Sequence, residues 1–270
     1  MRVCVSRFKM PKTLAVIPAR LSSSRFPNKP LKTIHGIPMV IHCLYRARMS
    51  KKIDRLILAT PDQEIFDTCQ NLGFESMITS NSHERASDRA AEVLEKLKSN
   101  GENFENIVLL QGDEPQLDPK LVDKLIDSIE NSNMLSVNII QPIGEKDMDD
   151  ASVVKTILSK SGEIKYFSRS KIPFGSKKSF RQLGMIAFKC EGLELYSSLN
   201  PTKHEILESI DMMRFIDNDI KMGSLISEDT IIGVDEPHHI KITENLMKDD
   251  EYLDLYKTKY LESISKNDLL

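Results

Sequence analysis

Nothing in the 270-residue chain reads as a membrane anchor, because no apolar run approaches the ~20 residues that a bilayer span requires. The basic start, MRVCVSRFKMPK, lacks the apolar stretch of a secretory signal. Positive charge is not in excess either. Lys and Arg number 37 against 40 Asp and Glu, a net charge of -3, so bulk attraction to nucleic acid or to a membrane surface is unsupported. Cysteine is sparse: Cys4, Cys43, Cys69 and Cys190 are scattered, with no CxxC pair and no histidines at zinc spacing. They read as small core residues of a reduced, cytoplasmic protein. The pattern GxxxxGK[ST] is missing, which excludes a P-loop ATPase, and the absence of GxGxxG after the first strand argues against a dinucleotide fold. Repeats, low-complexity tracts and long linkers are absent too.

What is present is a chain that is 40% hydrophobic and 29% charged, long enough to bury one sizeable core. LAVIPA (14–19), RLILAT (55–60) and IVLLQ (107–111) read as buried strands. Amphipathic helical patterns separate them. One begins at Pro38, one carries Ile65, Cys69 and Leu72, one runs from about Ala86 to Leu97, and one starts at Asp118-Pro119. Continuous apolar strands between amphipathic helices imply an α/β fold, a mostly parallel central sheet covered on both faces. From about Leu135 the strands LSVNII, VVKTIL, EIKYFS and LGMIAF are shorter and turn-linked, which predicts a smaller mixed lobe over the sheet's edge. Helical patterns return near His204–Met213 and from Pro237 onward. The expected organisation is a single domain over 12–270, with 1–11 a disordered lead and Met10 an alternative start.

Four stretches carry chemistry. In LAVIPARLSSSRFPNKPL, Arg20, Arg25 and Lys29 follow the first strand, with small serines whose backbone N–H groups can approach phosphate oxygens. The segment suits a triphosphate; a solvated basic loop fits the charge alone equally well. In LLQGDEPQL a buried strand ends and Asp113 and Glu114 emerge, where a carboxylate could hold Mg²⁺ or simply decorate a turn. In IIGVDEPHH, Asp235 follows an apolar stretch that reads as a strand and precedes a proline-started helix, so it either shares a metal with Asp113, at the end of another strand, or caps that helix; His238 and His239 read as surface residues. In SHERASDRAAE, His83, Arg85 and Arg89 surround a helix N-terminus, a place for an anion or base edge, or the wet face of an ordinary helix.

Taken together, IPARLSSSRFPNKPL, HERASDR, LLQGDEP, VVKTIL with YFSRSKIPF, LGMIAF and GVDEP resemble the 3-deoxy-manno-octulosonate (Kdo) cytidylyltransferases from Leu14 to about Ile242. The resemblance implies a nucleotide-diphospho-sugar transferase type of α/β domain, with a sugar-binding and homodimerising subdomain at about 160–215. It implies attack of an acidic sugar's anomeric hydroxyl on the α-phosphate of CTP, with Mg²⁺ as cofactor, for a surface glycan. Arg20, Lys29, Asp113 and Asp235 would be catalytic, the two aspartates as metal ligands. Ala19, Arg20, Ser24, Arg25, Lys29, His83, Arg85 and Ser87 would bind the nucleotide, and Gln111, Arg169, Gln182, Glu208 and Asp211 the sugar. The acceptor end departs from the family pattern. Gln182, Ile186 and Phe188 stand where it has a His and two Tyr, and Met212 where it has a Gln; Arg85-Ala86 replace Ser-Gly, and Ala59-Thr60-Pro61 replaces ATD. Three readings stay open: a Kdo-activating enzyme, a cytidylyltransferase for an amino-Kdo, another ulosonic acid or a smaller hydroxylated acceptor, and a nucleotide-binding protein without turnover.

Overall fold

The computed structural model describes residues 13–22, 26–228 and 231–267. The expected lead at 1–11 and Cys4 lie outside them. Strand β1 (Thr13–Pro18) is buried along its length, and its side chains divide between two cores: Ala15 and Ile17 face one, Leu14 and Val16 the other. That division is the period-2 alternation of a strand covered on both faces. A short hairpin, β2 (Thr33–Ile34) and β3 (Ile37–Pro38), leads into α1 (Met39–Arg48), with Pro38 as the N-cap rather than the first helical residue. Then come β4 (Arg55–Thr60), α2 (Gln63–Asn71), β5 (Ser76–Ile78), α3 (Ala86–Ser99) and β6 (Asn106–Leu110). Helix α4 (Pro119–Glu130) starts as its sequence predicts: the Asp118 carboxylate accepts from Lys120 N–H, and Pro119 occupies the first turn.

The later elements are β7 (Ser136–Ile143), α5 (Glu145–Met148), β8 (Lys155–Leu158), β9 (Ile164–Ser168), β10 (Ser179–Lys189), α6 (Cys190–Ser198), α7 (Lys203–Glu208), α8 (Met213–Asp217), β11 (Gly223–Ile226), α9 (Pro237–Leu246) and α10 (Glu251–Asn267). Among the described residues the main sheet runs in the order β11-β7-β10-β6-β1-β4-β5. Its pairs are parallel except where β10 runs antiparallel between β6 and β7. Two of the strands expected in an edge lobe, β7 and β10, therefore belong to the main sheet. The antiparallel extension is the β8–β9 hairpin, joined to the outer end of β10. Both faces are covered, with Leu125 of α4 and Tyr256 of α10 in one core and Val93 of α3 and Phe215 of α8 in the other. Cys43 and Cys69 are buried core residues, as expected.

One reading of the chain is corrected. The apolar stretch before Asp235 is not a strand; 231–235 is irregular, tethered where Val234 N–H donates to the Asp113 carbonyl at 2.9 Å.

Candidate active site

A cavity of about 980 Å³ opens beyond the C-terminal ends of β1 and β6. Ligands bind at this edge of α/β sheets, and the volume suits a nucleotide-sized one. Its lining brings together Ala19, Arg20, Lys29, His83, Arg85, Gln111, Asp113, Arg169, Gln182, Asp211 and Asp235. Ser87 and Glu208 are not in that lining. Ser24 and Arg25 lie outside the described residues.

The first end is built from loops. Ala19 N–H donates to the Ala59 carbonyl, and Leu21 N–H to the Asp62 carboxylate at 2.8 Å, so Asp62, just after Ala59-Thr60-Pro61, holds the opening loop. Lys29, on a short 3-10 turn, reaches Asp113 at 2.6 Å and Asp235 at 3.5 Å. Burial alone would lower the Lys29 pKa, but the two carboxylates outweigh it and hold it above its ordinary value. Two acids from separate segments thus converge on one cationic atom. That donor set, hard oxygens around a positive centre, suits Mg²⁺. Among the described residues no group of three or more His, Cys, Asp or Glu could hold a metal, so such an ion would take further ligands from phosphate oxygens and water.

Beneath Asp113 sits Glu114, which sequence reasoning left without a role. One carboxylate oxygen accepts from Gly184 N–H at 2.6 Å, while the other is buried with no hydrogen-bond partner among the described residues. Burial, with the Asp113 charge adding to it against the Gly184 bond, pushes its pKa up to about 7. A Cβ at Gly184 would lie 2.9 Å from the side chains of Gln111 and Glu114, so a larger residue here would displace both. Gln111 N–H in turn donates to the Gly184 carbonyl, at the irregularity of β10 between Gln182 and Ile186.

At the start of α3 the cations are engaged. Arg89 is buried and donates to Thr79 Oγ1 and to the Ser80 and His83 carbonyls; burial, reinforced by the nearby Arg20 charge, lowers its pKa. Arg85 donates to Ser209 Oγ and the Glu205 carbonyl, and His83 Nε2 lies 2.5 Å from Glu92. Ser87 donates through both N–H and Oγ to Asp211, which caps the helix in place of a side chain at Arg85.

The other end, to which the resemblance assigns the acceptor, is assembled from partnered groups. Glu208 accepts from Ser168 Oγ and Arg169 N–H, and Glu205 forms a bidentate pair with buried Arg214. Gln182 donates to Asn138 Oδ1 at 2.9 Å. Ile186 lines the cavity, but Phe188 and Met212 do not: both are fully buried in the core, Phe188 against Phe215. Those two departures change core packing and not acceptor contacts. Sequence reasoning also missed Arg181, which lines the cavity and donates to Gln141 Oε1 and the Ile231 carbonyl. It sits one residue before Gln182 in a stretch already singled out, so its position was available. His239 was read as surface; it lines the cavity and accepts from Asp235 N–H, one helical turn away.

An α/β sheet with a cationic loop after its first strand and paired aspartates beside it defines a nucleotidyltransferase type of site. A sequence model of the cytidylyltransferase family matches residues 14–222, and the chain belongs to that family. Among its relatives is the 3-deoxy-manno-octulosonate cytidylyltransferase of Thermodesulfovibrio yellowstonii, 32% identical over 249 residues, covering 87% of this chain and 98% of that protein. The protein of the same description in Leptospira biflexa is 35% identical over 234 residues, covering 85% and 94%. Among solved structures, a CMP:2-keto-3-deoxy-manno-octonic acid synthetase complexed with CTP superposes with a TM-score of 0.80 at 30% identity, over 88% of this chain and 99% of that one. A glucose-1-phosphate thymidylyltransferase from Bacillus anthracis, in complex with sucrose, has a TM-score of 0.66 at 16% identity, over 88% and 96%, and shares the fold.

Proposed function

We propose that this cytidylyltransferase activates 3-deoxy-manno-octulosonate. The anomeric hydroxyl of the sugar attacks the α-phosphorus of CTP, the bond to the β-phosphate breaks, and CMP-sugar, pyrophosphate and a proton result. The observation that carries this reading is the convergence of Asp113 and Asp235 on Lys29, in a chain aligned along most of its length with octulosonate enzymes. Arg20 and Lys29, both in the cavity lining, are assigned to neutralise the triphosphate, with Ser24 and Arg25 given the same task from the sequence. His83, Arg85 and the N-terminus of α3 flank the nucleotide side. Asp113 and Asp235 would hold Mg²⁺, which when bound screens the triphosphate charge and favours departure of pyrophosphate. Such transfer needs positioning and charge neutralisation more than a protein nucleophile.

Gln111 and Gln182 are assigned to the sugar directly. Arg169 and Asp211, each engaged by protein partners, shape its wall, and Glu208 supports it from behind through Ser168 and Arg169. A related acceptor, such as an amino-substituted octulosonate, is the second reading; the Gln182–Asn138 pair and apolar Ile186 favour it, since they alter what the sugar meets. A homodimer formed through 160–215 is supported by Phe174 on its loop and Ile206 and Leu207 on α7, all strongly exposed apolar side chains. Among the described residues no helix is long and apolar enough to cross a membrane. The free Cys43, Cys69 and Cys190 fit a cytoplasmic location, with the activated sugar destined for lipopolysaccharide or capsule.

The test is pyrophosphate release with Mg²⁺, octulosonate and each of the four nucleoside triphosphates. Release with CTP alone is expected. Release with none of them, or with UTP as fast as with CTP, would overturn the assignment.

A further inference from the structure

Lys155 on β8 is 0% exposed, and among the described residues it has no carboxylate within ion-pairing distance. Its ammonium donates to three backbone carbonyls: Asp150 at 2.6 Å, Val153 at 3.0 Å and Arg169 at 2.6 Å. An ammonium has only three N–H bonds, so all are used. Arg169, just past the end of β9, spends its fork in the same way. Nη1 donates to the Ala151 and Ser152 carbonyls at 3.0 and 3.4 Å, Nε to Glu208 at 2.7 Å and Nη2 to Ser209 at 3.3 Å.

The carbonyls of four successive residues, Asp150 to Val153, are therefore gathered by two neighbouring cations, and one cation holds the backbone of the other. Burying an ammonium is costly, and an apolar chain of similar length could fill the same space without that cost. The charge makes sense as a device that fixes backbone. What it fixes is functional surface, for Asp150, Ser152, Val153, Arg169 and Ser209 all line the cavity.

We infer that Lys155 is a positioning residue for the acceptor: together with Arg169 it clasps the 150–153 turn against β9 and residues 208–209, and so gives the acceptor wall its shape. The inference rests on the reading that this end of the cavity receives the sugar. Lys155 touches no substrate; it acts through the turn. Arg169 contributes chiefly by the same route.

The experiment compares Lys155→Met, Arg169→Gln and the double variant in steady-state kinetics with CTP and octulosonate. Lys155→Met should raise the acceptor KM about tenfold or more while the CTP KM stays within about threefold. Arg169→Gln should raise the acceptor KM as well. The double variant should be no worse than the poorer single by more than about twofold, because both act on one turn. An unchanged acceptor KM in Lys155→Met, equal loss toward both substrates, or losses that multiply would overturn the clasp. If Lys155→Met fails to fold, Arg169→Lys replaces it: it keeps the charge but cannot reach four carbonyls, and a wild-type acceptor KM there overturns the proposal. Amide hydrogen exchange without substrate separates this idea from the functional reading. Lys155→Met should speed exchange at 150–154 and spare 111–114. That pattern in a protein silent with octulosonate would support the clasp and sink only the acceptor assignment, whereas unchanged exchange at 150–154 would sink the clasp.

Discussion

The two ends of the cavity are built on opposite principles. At the first, Arg20, Lys29, Asp113 and Asp235 line the cavity from loops and a short 3-10 turn, and Lys29 meets both aspartates, which come from separate segments. At the second, charged residues are consumed by the protein: Arg169 by carbonyls, Glu208 by Ser168 and Arg169, Glu205 by Arg214. The first end can neutralise a highly charged ligand directly. The second has already satisfied its own charges, so it recognises through shape and a few remaining polar atoms. A reaction that joins a triphosphate to a polyhydroxylated acid can use both, because only one partner brings a charge concentrated enough to call for clustered cations and the metal proposed for the two aspartates.

Four substitutions probe that contrast, from the strongest effect to the weakest. Asp113→Asn should lower kcat by about 10³-fold or more with a native melting temperature, since it removes from a partly exposed loop a charge proposed to hold the metal. Activity close to wild type would remove Asp113 from the mechanism. Arg20→Ala should cost about 10- to 100-fold in kcat/KM for CTP and much less for the sugar, as loss of a charge-assisted contact predicts; equal losses for both substrates would place Arg20 elsewhere. Gln182→Leu should raise the acceptor KM about tenfold, the effect of one unpaired polar group, and leave CTP binding alone. No change would make the Gln182–Asn138 pair part of the scaffold.

The smallest effect concerns stability. Because the folded protein holds Glu114 with a pKa of about 7 against 4.5 unfolded, the native state retains a proton that the unfolded chain has lost between those values. Its contribution to stability must therefore fall as pH rises from 4.5 to about 7 and level off above, a total on the order of 3 kcal/mol. Urea unfolding of wild type and Glu114→Gln across that range, without metal, should show the difference growing against wild type. A flat difference would mean that the carboxyl ionises normally.

The same contrast explains what was legible in the chain. The strands around β1, β4 and β6 announce themselves as uninterrupted apolar runs, and the cation loop and Asp113 follow them directly, so fold class and the first end could be read together. Asp235 was located but misplaced on a strand, because IIGV has a strand's composition while its backbone is tethered through Val234 instead. The acceptor end was less readable. Its partners are 40 residues apart in Arg181 and Gln141, 44 in Gln182 and Asn138 and 124 in Ser87 and Asp211, and no local pattern encodes such pairings. Phe188 and Met212 show the cost. As letters they looked like lost sugar contacts, and as side chains they are core.

The most direct test of the account is ³¹P NMR of the purified protein with Mg²⁺, CTP and octulosonate. The account predicts one new phosphodiester resonance from CMP-sugar and pyrophosphate in equal amounts, which places the attack on the α-phosphorus. CMP with pyrophosphate would mean that water, not the sugar, is the acceptor. A diphosphate-linked sugar with free phosphate would place the attack on the β-phosphorus and contradict the mechanism outright.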